Sequence, residues 1–226
     1  MKNHLRIVIA GGSGQVGTLL SRHFHAQGHD VVVLARSANL AEWRVVNWDG
    51  ENPAGWASEL EKSDVVVNLA GRSVNCRYTA ANRKAIMESR AKSTRLLGKT
   101  IRQLAHPPRL WMNASTATIY RHIFDRAMDE QTGEIGGDEP DVPAKWKFSI
   151  DVATSWEEAF FEAETPNTRK LALRSAMIMS PDRGGIFDTL LRLVRSRRQG
   201  GQRSAIHFVD SRCRLPVCYR PLNYSR

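Results

Sequence analysis

The run Gly11-Gly12-Ser13-Gly14-Gln15-Val16-Gly17 follows directly on the apolar stretch Ile7-Val8-Ile9-Ala10 and opens an amphipathic segment. Strand, glycine turn and helix in that order leave few folds open. Glycines at 11, 14 and 17 permit a tight turn, close approach of a pyrophosphate to the backbone, and close packing of helix on strand. The helix start adds amide donors and a partial positive charge. The segment therefore points to a bound dinucleotide, with Gly11, Gly14, Gln15, Val16 and Gly17 as its contacts.

The pattern continues along the chain. Apolar runs predict strands over residues 5–10, 30–35, 44–47, 64–69, 109–113 and 171–179, and amphipathic stretches between them predict helices over 15–27, 54–62, 80–105 and 150–163. Strands alternating with helices imply an α/β fold, a doubly wound parallel sheet with helices on both faces. Pro107-Pro108 ends the long helix, because proline lacks the amide the helix needs and biases its neighbour toward extended backbone. Residues 129–147, rich in Gly, Pro and acids, read as a long loop after the fifth strand. Ligands sit at the carboxyl ends of such strands, so the loop either covers a site or is a surface connection.

The 226 residues suffice for one large domain with a small appendage. The amino-terminal apolar run is too short for a signal peptide or a membrane span, which predicts a cytoplasmic protein with no membrane partner. Cys76, Cys213 and Cys218 form no CxxC pair and fit a reducing compartment. The seven histidines show no HExxH spacing, and no metal site is expected; His23 and His25 are placed on a helix surface. The net charge of +10 is concentrated at the end, where residues 192–226 carry nine arginines against Asp210 alone, leaving +2 for the rest. No stacking motif is interleaved with these arginines, so no specific nucleic acid partner is expected.

The end of the second strand reads Ala35-Arg36-Ser37, with no carboxylate to accept from a ribose hydroxyl. Arg36, with Ser37, can instead pair with a 2′-phosphate, which favours NADP over NAD; the alternative is an exposed loop arginine. Asp49 can accept from an adenine amino group or serve as a turn aspartate before Gly50. Asn68, Ala70 and Gly71 mark a strand exit where backbone can run beside the cofactor, or simply a tight turn. After the fifth strand, Asn113-Ala114-Ser115-Thr116-Ala117-Thr118-Ile119-Tyr120 is rich in hydroxyls. Thr116 first, and Ser115 second, can hydrogen-bond a substrate carbonyl or alcohol for hydride transfer, unless they form the turn.

These segments resemble the extended short-chain dehydrogenase/reductases, the NAD(P)-dependent epimerase/dehydratase group. Ser115 to Tyr120 is similar to the group's serine/threonine motif, and Leu173-Arg174-Ser175-Ala176-Met177-Ile178-Met179-Ser180-Pro181 to its sixth-strand motif. More narrowly, Asn68-Leu69-Ala70-Gly71, Lys84 with Glu88-Ser89-Arg90, Ser155-Trp156-Glu157 and Ser180-Pro181-Asp182-Arg183-Gly184-Gly185 resemble the atypical YfcH-like epimerase subfamily. The resemblance spans about residues 5–201. It implies a Rossmann domain over 1–182, an incomplete substrate-binding segment and basic tail over 183–226, NADP as cofactor, and a possible homodimer.

It also exposes two departures. The wider family's tyrosine and lysine fall at Ser149 and Ala153, neither of which can do acid/base work near neutral pH. The carboxyl-terminal motif is reduced to Ile206-His207 and Asp210, and residues 184–198 are expected to form a helix with an unpaired apolar face. The function implied is an NADP-dependent oxidoreductase or nucleotide-sugar-epimerase-like protein acting on a small carbonyl or alcohol. The alternative is a non-catalytic NADP-binding sensor or scaffold.

Overall fold

Alternation along the strands partitions two cores. In β1 (Arg6–Ala10), Val8 and Ala10 face one side while Ile7 and Ile9 face the other, and all four are at most 2% exposed. The same separation runs through β2 (Asp30–Ala35), where Val32 and Leu34 oppose Val31 and Val33. Strands buried on both faces are what parallel pairing with helices on each side requires.

The computed structural model of the protein describes residues 4–37, 41–52, 55–123, 126–140, 142–180 and 182–197. Four further strands, β3 (Arg44–Asn47), β4 (Val65–Asn68), β5 (Leu110–Thr116) and β6 (Arg169–Ser175), complete one all-parallel sheet in the order β3-β2-β1-β4-β5-β6. This is the Rossmann order. Its strand sequence reverses between β1 and β4, and the crevice outside their carboxyl ends is the general ligand position of such sheets. On one face α1 (Gln15–Ala26) sets Leu20 and Phe24 against Ile7, Ile9 and Val33. On the other, α2 (Ala80–Gln103) and α3 (Ala144–Phe161) bury Leu97, Ile101 and Phe160 around Trp111, with Trp56 and Leu60 in the same core.

Three boundaries differ from expectation, each for a physical reason. The helix expected over 54–62 is a single 3-10 stretch, Gly55–Glu59, stopped where Lys62 adopts a positive φ of 60° and its amide turns to the His106 carbonyl. α3 starts at Ala144 rather than 150, so the preceding loop ends at Pro143. Its first turn carries exposed Lys145, Trp146 and Lys147, which show no apolar period. β6 covers Arg169–Ser175 rather than 171–179, because β5, its neighbour among the described residues, ends where Thr116 pairs with Ser175. Beyond that pairing Met177, Ile178 and Met179 lie exposed.

α4 (Ile186–Arg197) presents Ile186, Phe187, Leu190, Leu193 and Val194 at 38–62% exposure, the unpaired apolar face expected of it. His23 is exposed and His25 partly so on α1. The expectations on Cys213, Cys218, Ile206, His207, Asp210 and the basic tail lie outside the described residues. No described helix is long and apolar enough to cross a membrane.

Candidate functional site

The turn between β1 and α1 is shaped by backbone contact. Gly11 has φ +73°, and a side-chain carbon there would meet Ala70 Cα at 2.8 Å, so this glycine is what lets the β4 exit close on the turn. A side-chain carbon at Gly17 would lie 2.4 Å from Gly12 Cα, so α1 packs directly on the loop. Gly14 is different. Its φ of −75° suits any residue, and an added carbon would meet only the Gly11 carbonyl at 3.7 Å. The fold does not require glycine there.

α1 also begins without a side-chain cap, and the amides of Gln15, Val16 and Gly17 have no hydrogen-bond partner among the described residues. Uncapped amides and the helix dipole favour an anion. The Gln15 side chain turns away toward Gly185, with its Nε2 buried and without a hydrogen-bond partner among the described residues.

Beside this turn lies a cavity of about 400 Å³ lined by Gly12, Ser13, Thr18, Arg22, Ser37 and Trp43, among others. Arg36, just past the end of β2, is exposed and forms no ion pair among the described residues. Two lining residues were not evident in the sequence. Arg22, on α1, adds a guanidinium that also meets Asp182 Oδ2 at 3.6 Å, and Glu42 brings a carboxylate that the strand end itself lacks. Asp49 takes the turn role. Its carboxylate accepts from the amides of Glu51 (2.8 Å) and Asn52 (2.9 Å) and from Asn52 Nδ2 (2.6 Å). Those backbone amides, Asn52 foremost, hold its pKa down to about 2.

At the β4 and β5 exits the cross-strand neighbours Asn68 and Asn113 are both 0% exposed. Asn68 Nδ2 donates to Asn113 Oδ1 (2.6 Å) and Thr94 Oγ1 (2.9 Å), Trp156 Nε1 donates to the same Thr94 oxygen (2.9 Å), and Asn68 Oδ1 accepts from the Ala70 amide (3.1 Å). What Asn68 presents to the crevice is thus the backbone of Ala70, aligned against Gly11. Gly71 follows, exposed, with Arg90 packed behind it.

Ser115 and Thr116 point to different partners. Ser115 is 6% exposed and donates to Glu157 Oε1 at 2.5 Å. Glu157 in turn accepts from Arg174 Nε (2.9 Å) and Nη2 (2.7 Å), and Arg174 Nη1 donates to the Tyr120 hydroxyl (3.0 Å). Burial alone would raise the Glu157 pKa, but the hydrogen bonds from Arg174 and Ser115 outweigh it and hold the carboxyl below its ordinary value. The bond to Glu157 conversely raises Arg174. The loop after β5 folds back on this cluster, with Gly133 against the Tyr120 ring and the Gly136 amide on the Ile119 carbonyl. Thr116 is half-buried at the strand exit. Its Oγ1 accepts from the Thr118 amide (3.2 Å) and lies 3.1 Å from Thr118 Oγ1.

Glu157, Ala153 and Ser149 stand at successive four-residue steps and share one face of α3, the face that Glu157 carries to β5. Ala153 is fully buried, and the Ser149 hydroxyl donates to the Lys145 carbonyl at 3.2 Å. No titratable group stands at either position. Glu157 and Arg174 were part of recognisable motifs, but their union across 17 residues was not readable as a buried pair. Among the described residues no group of three or more His, Cys, Asp or Glu could hold a metal ion.

Residues 7–140 match the NAD dependent epimerase/dehydratase family. Epimerase family protein SDR39U1 of Bos taurus is 29% identical over 192 residues, covering 83% of this chain and 59% of that protein. The crystal structure of human epimerase family protein SDR39U1 (isoform 2) with NADPH superposes with a TM-score of 0.70 at 28% identity, over 85% of this chain and 60% of that one. The nucleoside-diphosphate sugar epimerase from Corynebacterium glutamicum gives a TM-score of 0.65 at 27% identity, over 88% and 39%. The chain spans about three fifths of the length of the curated relatives it matches.

Proposed function

The chain belongs to the NAD dependent epimerase/dehydratase family, and from that membership we propose that it binds NADP in preference to NAD and exchanges hydride with a small carbonyl or alcohol. The observation that carries the reading is Gly14. Its side-chain direction is open and its backbone is unstrained, so the fold gives no reason for a glycine beside three unpartnered amides. A pyrophosphate running over that point does.

In this reading the Gln15, Val16 and Gly17 amides and the α1 dipole hold the pyrophosphate, while Gly11 and Gly17 allow the backbone to close around it. Arg36 and Ser37 receive the 2′-phosphate, with Arg22, which also meets Asp182 at 3.6 Å, and Glu42 beside Ser37 in the same cavity. The NADPH in the human relative's structure supports the same choice. The backbone of Ala70 and Gly71, aligned by Asn68, runs beside the nicotinamide half. A bound nicotinamide supplies the hydride donor or acceptor. Thr116, whose hydroxyl is half-buried at the β5 exit, orients the substrate oxygen, and Ser115 supports the strand end through Glu157. With serine and alanine at 149 and 153, the proton is exchanged with water or with the substrate's own groups. That same pair favours a second reading, a non-catalytic NADP-binding sensor or scaffold.

The test is titration of the purified chain with NADPH and NADH, followed by fluorescence. NADPH binds more tightly, Arg36→Ala loses about tenfold to a hundredfold of that affinity (~1.5–3 kcal/mol) with little change for NADH, and Gly14→Asp abolishes both. Absence of binding to a folded chain defeats the proposal. Turnover of simple carbonyls with NADPH selects the enzyme, and tight binding without turnover selects the sensor.

A further inference from the structure

Among the described residues, the arginines that meet a carboxylate lie away from the β4 exit. Arg6, Arg22, Arg44, Arg102, Arg121, Arg126, Arg174 and Arg192 each meet a carboxylate. Around the β4 exit positive charge is concentrated. Residues 71–90 hold Arg72, Arg77, Arg83, Lys84 and Arg90 against one acid, Glu88, a local charge of +4 in a body otherwise close to neutral. Glu88 is taken by Lys84 (3.8 Å) and Lys92 (3.3 Å). No arginine of the group has a carboxylate partner among the described residues.

Two of these guanidiniums are half-buried and held by their faces. Arg90 lies 5.0 Å from the Trp156 ring centroid, with Nη1 donating to the carbonyls of Arg72 (3.1 Å) and Ile86 (3.0 Å). Arg83 lies 4.5 Å from the Phe148 centroid and 5.6 Å from that of Tyr78, with Nε donating to the Tyr78 carbonyl (3.4 Å). Exposed Arg72 is fixed at both ends, its amide donating to Ser89 Oγ (2.9 Å) and Nη2 to Asn82 Oδ1 (3.0 Å). Burial lowers the Arg90 pKa, the penalty expected of a charge with no counterion. Stacking and carbonyl contacts fix each plane, yet Arg90 Nε and Nη2, both Arg83 Nη atoms, and Arg72 Nε and Nη1 have no partner among the described residues. A fixed plane with an unused edge is the geometry in which arginine receives phosphate or carboxylate as a fork.

The group also stands in the right place. Arg90 backs Gly71, the residue after Ala70, which closes on Gly11 of the dinucleotide turn. Arg83 stacks on Phe148, adjacent in α3 to Ser149 on the face that reaches β5. We propose that Arg72, Arg83 and Arg90 form a receptor for an oxyanion, phosphate or carboxylate, carried by the substrate, so that this site acts on an anionic carbonyl or alcohol compound. The word substrate rests on the hydride-transfer reading above; the oxyanion site does not.

The experiment uses the full chain with 15N-labelled arginine, titrated with inorganic phosphate and separately with malonate, with and without saturating NADPH. The Nε–H resonances of Arg83 and Arg90, identified from Arg83→Lys and Arg90→Lys, shift saturably with NADPH present. Arg83→Gln and Arg90→Gln each weaken binding at least about fivefold, whereas Arg102→Gln, in the last turn of α2, does not. Where a Gln variant fails to fold, the Lys variant keeps the charge, loses the fork, and shows a smaller loss. The stronger of the two probes identifies the anion as phosphate or carboxylate. Unmoved Arg83 and Arg90 signals, an affinity indifferent to these substitutions, or binding that NADPH abolishes would overturn the site. If NADPH does not bind but the anion still does in an Arg83- and Arg90-dependent manner, the oxyanion site stands and the cofactor reading falls.

Discussion

At the carboxyl end of β1 the candidate site is made of backbone, whereas at the carboxyl end of β5 it is made of side chains. The first is seven consecutive residues whose turn and amides do the work, with Gly11 and Gly17 clearing space that any side chain would fill. The second is assembled from partners far apart in the chain, Ser115 with Glu157 at a separation of 42 residues and Trp156 with Thr94 at 62. A backbone site tolerates change wherever no side chain is needed. A buried polar network tolerates almost none, because each deletion leaves a partner unsatisfied in a poorly solvated setting.

The sharpest test of this contrast is Glu157→Ala. It strips Arg174 of its bidentate partner and Ser115 of its acceptor, and should cost about 3–5 kcal/mol in urea unfolding. NADPH affinity of the fraction that remains folded should stay within about twofold, since the turn at β1 is built independently. A cost below about 1 kcal/mol would show that the β5 cluster is surface decoration.

Next come two glycines three residues apart. Gly17→Ala forces a carbon into Gly12 and should destabilise by about 1–3 kcal/mol, visible as a lower thermal midpoint. Gly14→Ala should leave that midpoint nearly unchanged, yet lower NADPH affinity by about tenfold, ~1.4 kcal/mol. Loss of stability at Gly14 without loss of affinity would make its glycine structural and would remove the main support for the cofactor reading.

The smallest effect is in pH. The Glu157 carboxyl is held below its ordinary value, so the folded state binds that proton less readily than the unfolded one. Its contribution is full above the unfolded pKa of about 4.3 and fades as pH falls through the lower folded value. Stability of Glu157→Gln, measured by urea midpoint from pH 6 to pH 3, should therefore fall less steeply than that of the parent chain. Parallel curves would mean that Glu157 titrates alike in both states.

The strand-turn-helix at residues 7–17, the parallel α/β class and the order of the elements were all legible in the linear chain. Each depends on period, glycine placement and apolar burial within a short window. The edges of elements were less legible. β6 ends where its partner β5 ends, and the first turn of α3 faces solvent, so neither boundary leaves a local trace. For the site, Gly14 and Thr116 could be singled out from their position after a strand. That Asn68 holds the Ala70 amide, that the Asp49 carboxylate accepts from its own turn, and that Glu42 and Arg22 share one cavity required the fold.

The sequence by itself determined that the chain builds a parallel sheet with a dinucleotide turn on its first strand, because backbone geometry and helix amides are set by neighbours in the chain. Only the tertiary structure decided which charges are paired. It matched Glu157 to Arg174 and left Arg72, Arg83 and Arg90 without a carboxylate among the described residues, since pairing depends on distances across elements that no local pattern encodes.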